Sequence, residues 1–257
     1  MSPSCRLNIR QRLLDPRRKR ELNEDIFSIV ARRYDRITRL LSFHRDQAWK
    51  RRLVDGLPAL TTPMCLDLAC GTGDITLRLA SKYPQGQIIG LDLSEPMLEL
   101  ARARGSNTGI QFRRGDMGRT GLASASFDMV TGGYALRNAG DLPETLAEIH
   151  RVLKPGGIGC FLDFSKPRGR RLQHAQVFLL RVWGGLWGWL FHGDPGVYTY
   201  IAESLANFPD RRQLVDLCRS QGFEIVASKL HFFGIVQRLT IRKPARHPVR
   251  PANSSAP

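Results

Sequence analysis

A chain of 257 residues with 42% hydrophobic content is long enough and apolar enough to bury one sizeable α/β core, which sets it apart from disordered and fibrous sequences. Five scattered cysteines (Cys5, Cys65, Cys70, Cys160, Cys218) lack metal-ligand spacing and are expected to be reduced thiols, which excludes a zinc module and a disulfide scaffold. The net charge of +16 favours anionic partners, nucleic acid or an acidic membrane surface, against the plainer reading of a solvated basic surface.

Half of that excess lies in residues 1–55, which hold 15 Lys and Arg against 7 Asp and Glu. Residues 1–20 are polar and Arg-rich without an apolar h-region, so a mobile basic lead is expected and a secretory signal is not. From Glu21 the spacing of Ile26, Ile29, Val30, Tyr34, Ile37 and Leu41 is helical. Residues 46–57 form a second short helix that ends near Gly56 and Pro58. An alternation of strands and helices follows: strand 64–69, helix 74–83, strand 87–94, a helix from Glu95 with Pro96 in its first turn, strands 110–116 and 127–136, and helix 142–153. Pro155-Gly156-Gly157 stops that helix, and strand 157–165 comes next. Such alternation predicts parallel βαβ units in a doubly wound sheet.

After Pro167 the pattern breaks, and residues 168–208 are expected to form a helical, aromatic insertion. Its most apolar window, 177–191, contains Arg181 and is too short to span a bilayer. Trp183, Trp187 and Trp189 suit a boundary between apolar and wet surroundings, so a lid, a core helix and an interfacial segment all stay open. Helix 210–223 is closed by Gly222, residues 224–243 are two strands joined by a short turn, and 244–257 is a Pro/Ser/Arg-rich tail expected to be disordered. The domain is thus expected over 21–243.

The chemistry begins at the glycine turn after the first strand. A dinucleotide fingerprint requires G-x-G-x-x-G, but Thr76 stands where the third glycine belongs. The run is D-x-A-x-G-x-G, from Asp67 to Gly73, and Gly71 and Gly73 clear side chains from the path of a ligand. Asp92 ends the second strand, where a carboxylate accepts from ribose hydroxyls. Asp116-Met117 ends the third, offering a carboxylate for an adenine amino group and a thioether for its face. This pattern favours S-adenosylmethionine over NAD or a nucleotide. Asp67 as an anchor of the loop and Asp116 as a helix cap remain as plainer readings.

The chain resembles class I S-adenosylmethionine-dependent methyltransferases and, more narrowly, the ubiquinone/menaquinone biosynthesis C-methyltransferase (UbiE-like) family. Five blocks match in order: "YDRITRLLSFHRDQAWKR" (34–51), "LDLACGTGD" (66–74), "YALRNAGDL" (134–142), "RVLKPGGIGCFLDFSKP" (151–167) and "YTYIAESLANFPDRRQLVDLCRSQGF" (198–223). The resemblance implies a Rossmann-like, mostly parallel seven-stranded sheet with N-terminal helices and a helical lid. It implies methyl transfer from S-adenosyl-L-methionine to a ring carbon of a prenylated quinol, without a metal. Thr72, Asp92, Asp116 and Met117 would bind the cofactor together with Asp67, Gly71 and Gly73 would make room for it, and Tyr34 would close over it. Arg137 would stabilise a phenolate or orient a water, and Asn138 would fix the hydroxyl. His44, His192, Tyr198, Tyr200 and Glu203 are candidate bases by chemistry. A cytoplasmic protein is expected, in contact with an anionic membrane surface; a homodimer is compatible with it, and specific nucleic acid is not expected.

Several departures from the family pattern lie around the acceptor side more than the cofactor side. Thr38 replaces an asparagine, Ser42-Phe43-His44 is shortened, Asp163 stands for a glutamate, "MGRTGL" replaces a small/acidic pair and Leu-Pro-Phe, and "FFGIVQRLTIRK" replaces paired glycines and an Ala-Leu-His element. They leave open a divergent methyltransferase acting on another phenolic or polyketide-like molecule. The charge keeps an RNA-binding methyltransferase as a weaker reading.

Overall fold

The computed structural model describes residues 9, 11–106, 108–167, 169–192 and 196–245. Seven strands form one sheet: β1 (Met64–Leu68), β2 (Gln87–Asp92), β3 (Gln111–Arg114), β4 (Phe127–Gly133), β5 (Leu153–Phe164), β6 (Glu224–His231) and β7 (Val236–Arg242), in the order β3-β2-β1-β4-β5-β7-β6. All neighbours are parallel except β7, which runs antiparallel to both β5 and β6. The order reverses between β1 and β4, and in such sheets the crevice at the carboxyl ends of those strands receives the ligand.

Both faces of the sheet are covered, which is why the central strands are nearly continuous apolar runs. Alternate residues separate onto the two faces. Leu66, Leu68, Ile89, Leu91, Val130 and Phe161 pack with α6 (Leu142–Val152) and α9 (Arg211–Ser220). Cys65, Ile88, Met129, Cys160 and Leu162 pack with α3 (Asp46–Asp55) and α4 (Asp74–Lys82). Cys65, Cys70, Cys160 and Cys218 are buried free thiols, as the sequence predicts.

The helices begin where sequence chemistry allows. Asp141 accepts from the Glu144 amide to cap α6, and Asp210 forms a reciprocal capping box with Gln213 at α9. The same chemistry acts within the basic lead expected over 1–20. Asp15 caps a helix, α1 (Pro16–Val30), with Pro16 in its first turn, and residues 11–14 are also helical. Ile9 and Leu13 are buried with Leu22 and Tyr200, and Arg20 pairs with Asp116 and Glu144. Arginine density conceals an amphipathic start. Residues 1–8 and the expected tail from 246 onward lie outside the described residues.

Two further differences are local. β5 begins at Leu153 rather than 157, running through Pro155-Gly157 with a register shift against β4. β3 is a short edge strand of four residues. The insertion after Pro167 is two helices, α7 (Arg170–His192) and α8 (Gly196–Asn207). No helix among the described residues is long and apolar enough to cross a membrane.

Candidate active site

Two cavities meet at the carboxyl ends of the strands. The smaller, about 60 Å³, is the more polar of the two; it lies between α1 and the ends of β1, β2 and β4 and is lined by Gly71, Asp92, Asp116, Met117 and Arg20. The larger, about 700 Å³, is apolar and is enclosed by α1, α2 (Tyr34–Leu41), α7, α8 and the turn before β7. Phe27, Tyr34, Tyr134 and Asn138 line both, forming the wall between them.

The glycine turn shapes the smaller cavity. Gly71 has φ +55, and a Cβ added there would meet nothing within 4 Å, so the missing side chain is open space. A cradle of this kind fits a bound group pressed against the backbone. Asp92 stands beside it, its Oδ2 accepting from the Gly71 amide at 2.7 Å and its Oδ1 from the Ser94 amide at 2.9 Å. Burial holds its carboxyl above the ordinary range, against the pull of those amides. Each oxygen keeps a lone pair for a ribose hydroxyl. Asp116 sits 2.7 Å from Arg20 Nε, while its Oδ1 accepts from the Gly118 amide. Met117 packs its thioether against the core beneath the cavity.

Asp67, Thr72 and Gly73 do not line this cavity. Strand alternation turns Asp67 under α4, where it accepts from Thr76 at 2.6 Å and Thr131 at 2.8 Å. Burial pushes its pKa up to about 6, and the plainer reading of Asp67 as a loop anchor is the one its geometry matches. The Thr72 hydroxyl donates to Asp35 at 2.7 Å, and Arg104 donates to the Thr72 carbonyl at 2.8 Å. Gly73, at φ +84, opens α4.

A network that sequence reasoning missed holds this turn. Asp74 accepts from Lys50 and Gln47, both at 2.8 Å, and from Arg104 at 2.6 Å. Burial works against the Asp74 charge, but Lys50 outweighs it and holds the carboxyl far below its usual range. Burial likewise opposes the Lys50 charge, and Asp74 reverses the effect and raises its pKa. The three partners come from α3 and α5 (Glu95–Gly105), so helices before and after the turn in the chain brace it together. A glycine turn followed by an acid invites a search for its cations, but their sequence separation gives no local signal.

The larger cavity carries the other expected residues. Arg137, 4% exposed, lines it just past β4. Its backbone amide donates to Asp163 Oδ2 at 2.9 Å, its Nε lies 3.5 Å from Asp163 Oδ1, and its guanidinium also donates to Ser204. It lies over the rings of Phe164 at 5.4 Å and Tyr200 at 5.8 Å. Asn138 donates to the Tyr134 carbonyl at 2.8 Å and accepts from the Tyr200 hydroxyl at 2.8 Å. Tyr34 faces both cavities from α2, and burial raises its pKa.

The candidate bases fare differently. Burial pushes Tyr200 far above its usual range, and its single hydroxyl proton is shared between the side-chain oxygens of Asn138 and Asn23, so it is a structural donor. Glu203 pairs with Arg181 at 2.8 Å, and His44 is exposed outside the cavity lining. The side chains of His192 and Tyr198 lie outside the described residues.

Strain gathers at this site. Phe43, Ala69, Tyr134, Phe232 and Phe233 all hold positive φ, and each lines one or other cavity. At the mouth of the larger one, Phe43 stacks on Trp183 at 5.5 Å and touches Phe232, and Phe233 is 99% exposed.

Residues 16–242 match the sequence profile of the ubiE/COQ5 methyltransferase family. The chain is 35% identical to the ubiquinone/menaquinone biosynthesis C-methyltransferase UbiE of Desulfotalea psychrophila, over 83% of this chain and 87% of that protein. It is 36% identical to the demethylmenaquinone methyltransferase of Deinococcus radiodurans, over 81% of this chain and 88% of the other. Among solved structures, the complex of the Haloferax volcanii Trm112 methyltransferase activator with a methyltransferase aligns with a TM-score of 0.63 at 18% identity, covering 85% of this chain and 97% of that one.

Proposed function

This chain belongs to the ubiE/COQ5 methyltransferase family, and from that premise we propose that its two cavities are the donor and acceptor chambers of a quinol C-methyltransferase. It is an S-adenosylmethionine-dependent methyltransferase of menaquinone or ubiquinone biosynthesis, and its acceptor is a demethylmenaquinol-type prenylated ring. The observation that carries the reading is the wall of Phe27, Tyr34, Tyr134 and Asn138 between a small cavity edged by carboxylates and a large, more strongly apolar one. A polar nucleoside and a lipophilic ring have opposite needs, and one thin partition brings them edge to edge.

Gly71, Asp92, Asp116, Met117 and Tyr34 would contact S-adenosylmethionine at the smaller chamber, with Asp67 and Thr72 shaping the turn from behind; at about 60 Å³ the chamber is smaller than the cofactor, so α1 would have to move off the strand ends to admit it. Bound there, the cofactor supplies an already electrophilic methyl group, so the chain's own work is positioning and charge. Arg137 places a fixed positive charge where negative charge develops on the ring oxygen; it is held by Asp163 and Ser204 and needs no reorganisation. Asn138, locked by Tyr134 and Tyr200, offers its second amide hydrogen to the same hydroxyl. The aromatic belt at the mouth keeps water out.

The test is methyl transfer from S-adenosylmethionine to a reduced demethylmenaquinol, read by mass spectrometry. The expected product is one methylene heavier and vanishes with Arg137→Ala; turnover of soluble phenols but of no prenyl quinol would overturn the reading.

The substrate's lipid tail also needs a route to the chamber. Leu172, Phe178, Leu179, Val182, Leu186 and Trp189 stand exposed along α7, and exposed Arg170 and Arg171 begin it. We infer that this face meets an anionic bilayer, with each basic residue near the surface adding about 1 kcal/mol. Vesicles containing phosphatidylglycerol should bind the protein at low salt, and Leu179→Glu with Val182→Glu should abolish it. Binding unchanged by that pair would reduce the attraction to charge alone.

A further inference from the structure

The acceptor chamber is largely apolar, so the few polar atoms around it stand out. Gln176, on α7, lines it. Its Nε2 donates to the Ser165 carbonyl at 2.8 Å, which settles the orientation of the amide, because a carbonyl accepts only from the nitrogen end. The Oε1 end is then buried without a hydrogen-bond partner among the described residues. A buried acceptor left unpaired is costly, and native folds keep few of them.

The position of this atom is informative. Ser165 follows Phe164, whose ring lies beneath the Arg137 guanidinium. Arg137 and Gln176 are therefore anchored at one strand end, the first over the Phe164 ring and the second on the next residue's carbonyl. A hydroquinone carries two hydroxyls at opposite ends of its ring. The one beside the reacting carbon belongs to Arg137 and Asn138.

We propose that Gln176 accepts a hydrogen bond from the second ring hydroxyl, and that this contact lets the chamber select the reduced quinol over the oxidised quinone. The inference rests on the reading of the acceptor as a quinol. Gln176 Oε1 can only accept: a hydroxyl satisfies it, whereas a quinone carbonyl would set two acceptors face to face. Sites built on a hydrogen bond to a substrate hydroxyl reject the analogue lacking it far more strongly than apolar pockets reject by size. Trp183 Nε1, also buried and unpartnered, is a donor and meets a hydroxyl or a carbonyl oxygen equally, so it carries no such selection.

The experiment uses the full chain, S-adenosylmethionine and two acceptors under reducing conditions. One is a prenylated demethylnaphthoquinol; the other is the corresponding naphthol, which keeps the hydroxyl beside the reacting carbon and lacks the remote one. Gln176→Met should lower kcat/KM on the quinol by about tenfold to a hundredfold and leave that on the naphthol within about twofold. Retained turnover of the naphthol shows that the variant is folded. Equal losses on both acceptors, or no loss on the quinol, would overturn the proposal and assign Gln176 to the packing of α7 on β5. Inhibition by the oxidised quinone gives an independent readout: the variant should bind it at least about threefold more tightly, and an unchanged constant counts against the proposal. If the wild-type protein binds S-adenosylmethionine yet methylates neither acceptor, the quinol reading itself fails and this inference falls with it.

Discussion

The donor and acceptor sides of this molecule are built on opposite plans. On the donor side three carboxylates are each paired within the protein: Asp92 with two backbone amides, Asp67 with two threonines, Asp74 with Lys50, Gln47 and Arg104. On the acceptor side the Arg137 guanidinium, buried with its partner Asp163, stands amid aromatic and aliphatic surface. The first arrangement fixes a shape for one cofactor. The second fixes one charge and leaves the rest to apolar fit, which tolerates substitution.

Four changes test this contrast, beginning with the largest effect. Asp163→Ala strips Arg137 of its counter-charge within a buried site and should cost about 3–5 kcal/mol in chemical denaturation, while S-adenosylmethionine affinity stays within about threefold by calorimetry. A loss of affinity as large as the loss of stability would show that the two sides are not separable. Asp92→Ala should act in reverse. It orphans the Gly71 and Ser94 amides along with the ribose site, weakening cofactor binding by about 2–4 kcal/mol, with quinol quenching of Trp183 fluorescence unchanged.

The third change is read against pH. Burial raises the Asp67 pKa from 3.8 to about 6, so its ionised form is penalised in the folded state. Its contribution is fully present below about pH 4 and is lost as pH rises through 6, a decline of about 2–3 kcal/mol. Asp67→Asn should flatten that segment of the stability profile; a profile identical to wild type would place its ionisation elsewhere. The smallest effect belongs to Phe233→Gly. Removing a side chain from φ +54 should stabilise the fold by about 1 kcal/mol and raise Tm by about 2–4 °C. It should raise KM for the quinol and leave that for S-adenosylmethionine unchanged.

Much of the sheet was legible because a strand buried on both faces writes itself as a short apolar run. Asp92 and Asp116 were legible because they end such runs, and strand ends are where this topology opens. Asp67 was misplaced for the same reason: it lies within the run, and only the pairing of Cys65 with the α4 face shows which way it turns. Lys50 and Arg104 were invisible as partners of Asp74, since their meeting is a product of the fold. The start of α1 was legible in Asp15-Pro16 but masked by the arginines around it. Gln176 gave no signal at all, because an isolated amide in an apolar helix reads as surface until its neighbours are known.

One contact reaches beyond catalysis. The Tyr200 hydroxyl is shared by Asn23 and Asn138, and Tyr200 packs among Ile9, Leu13 and Leu22. That single oxygen ties together residues 23, 138 and 200, and contacts of such long sequence separation raise the contact order of the fold and slow its formation.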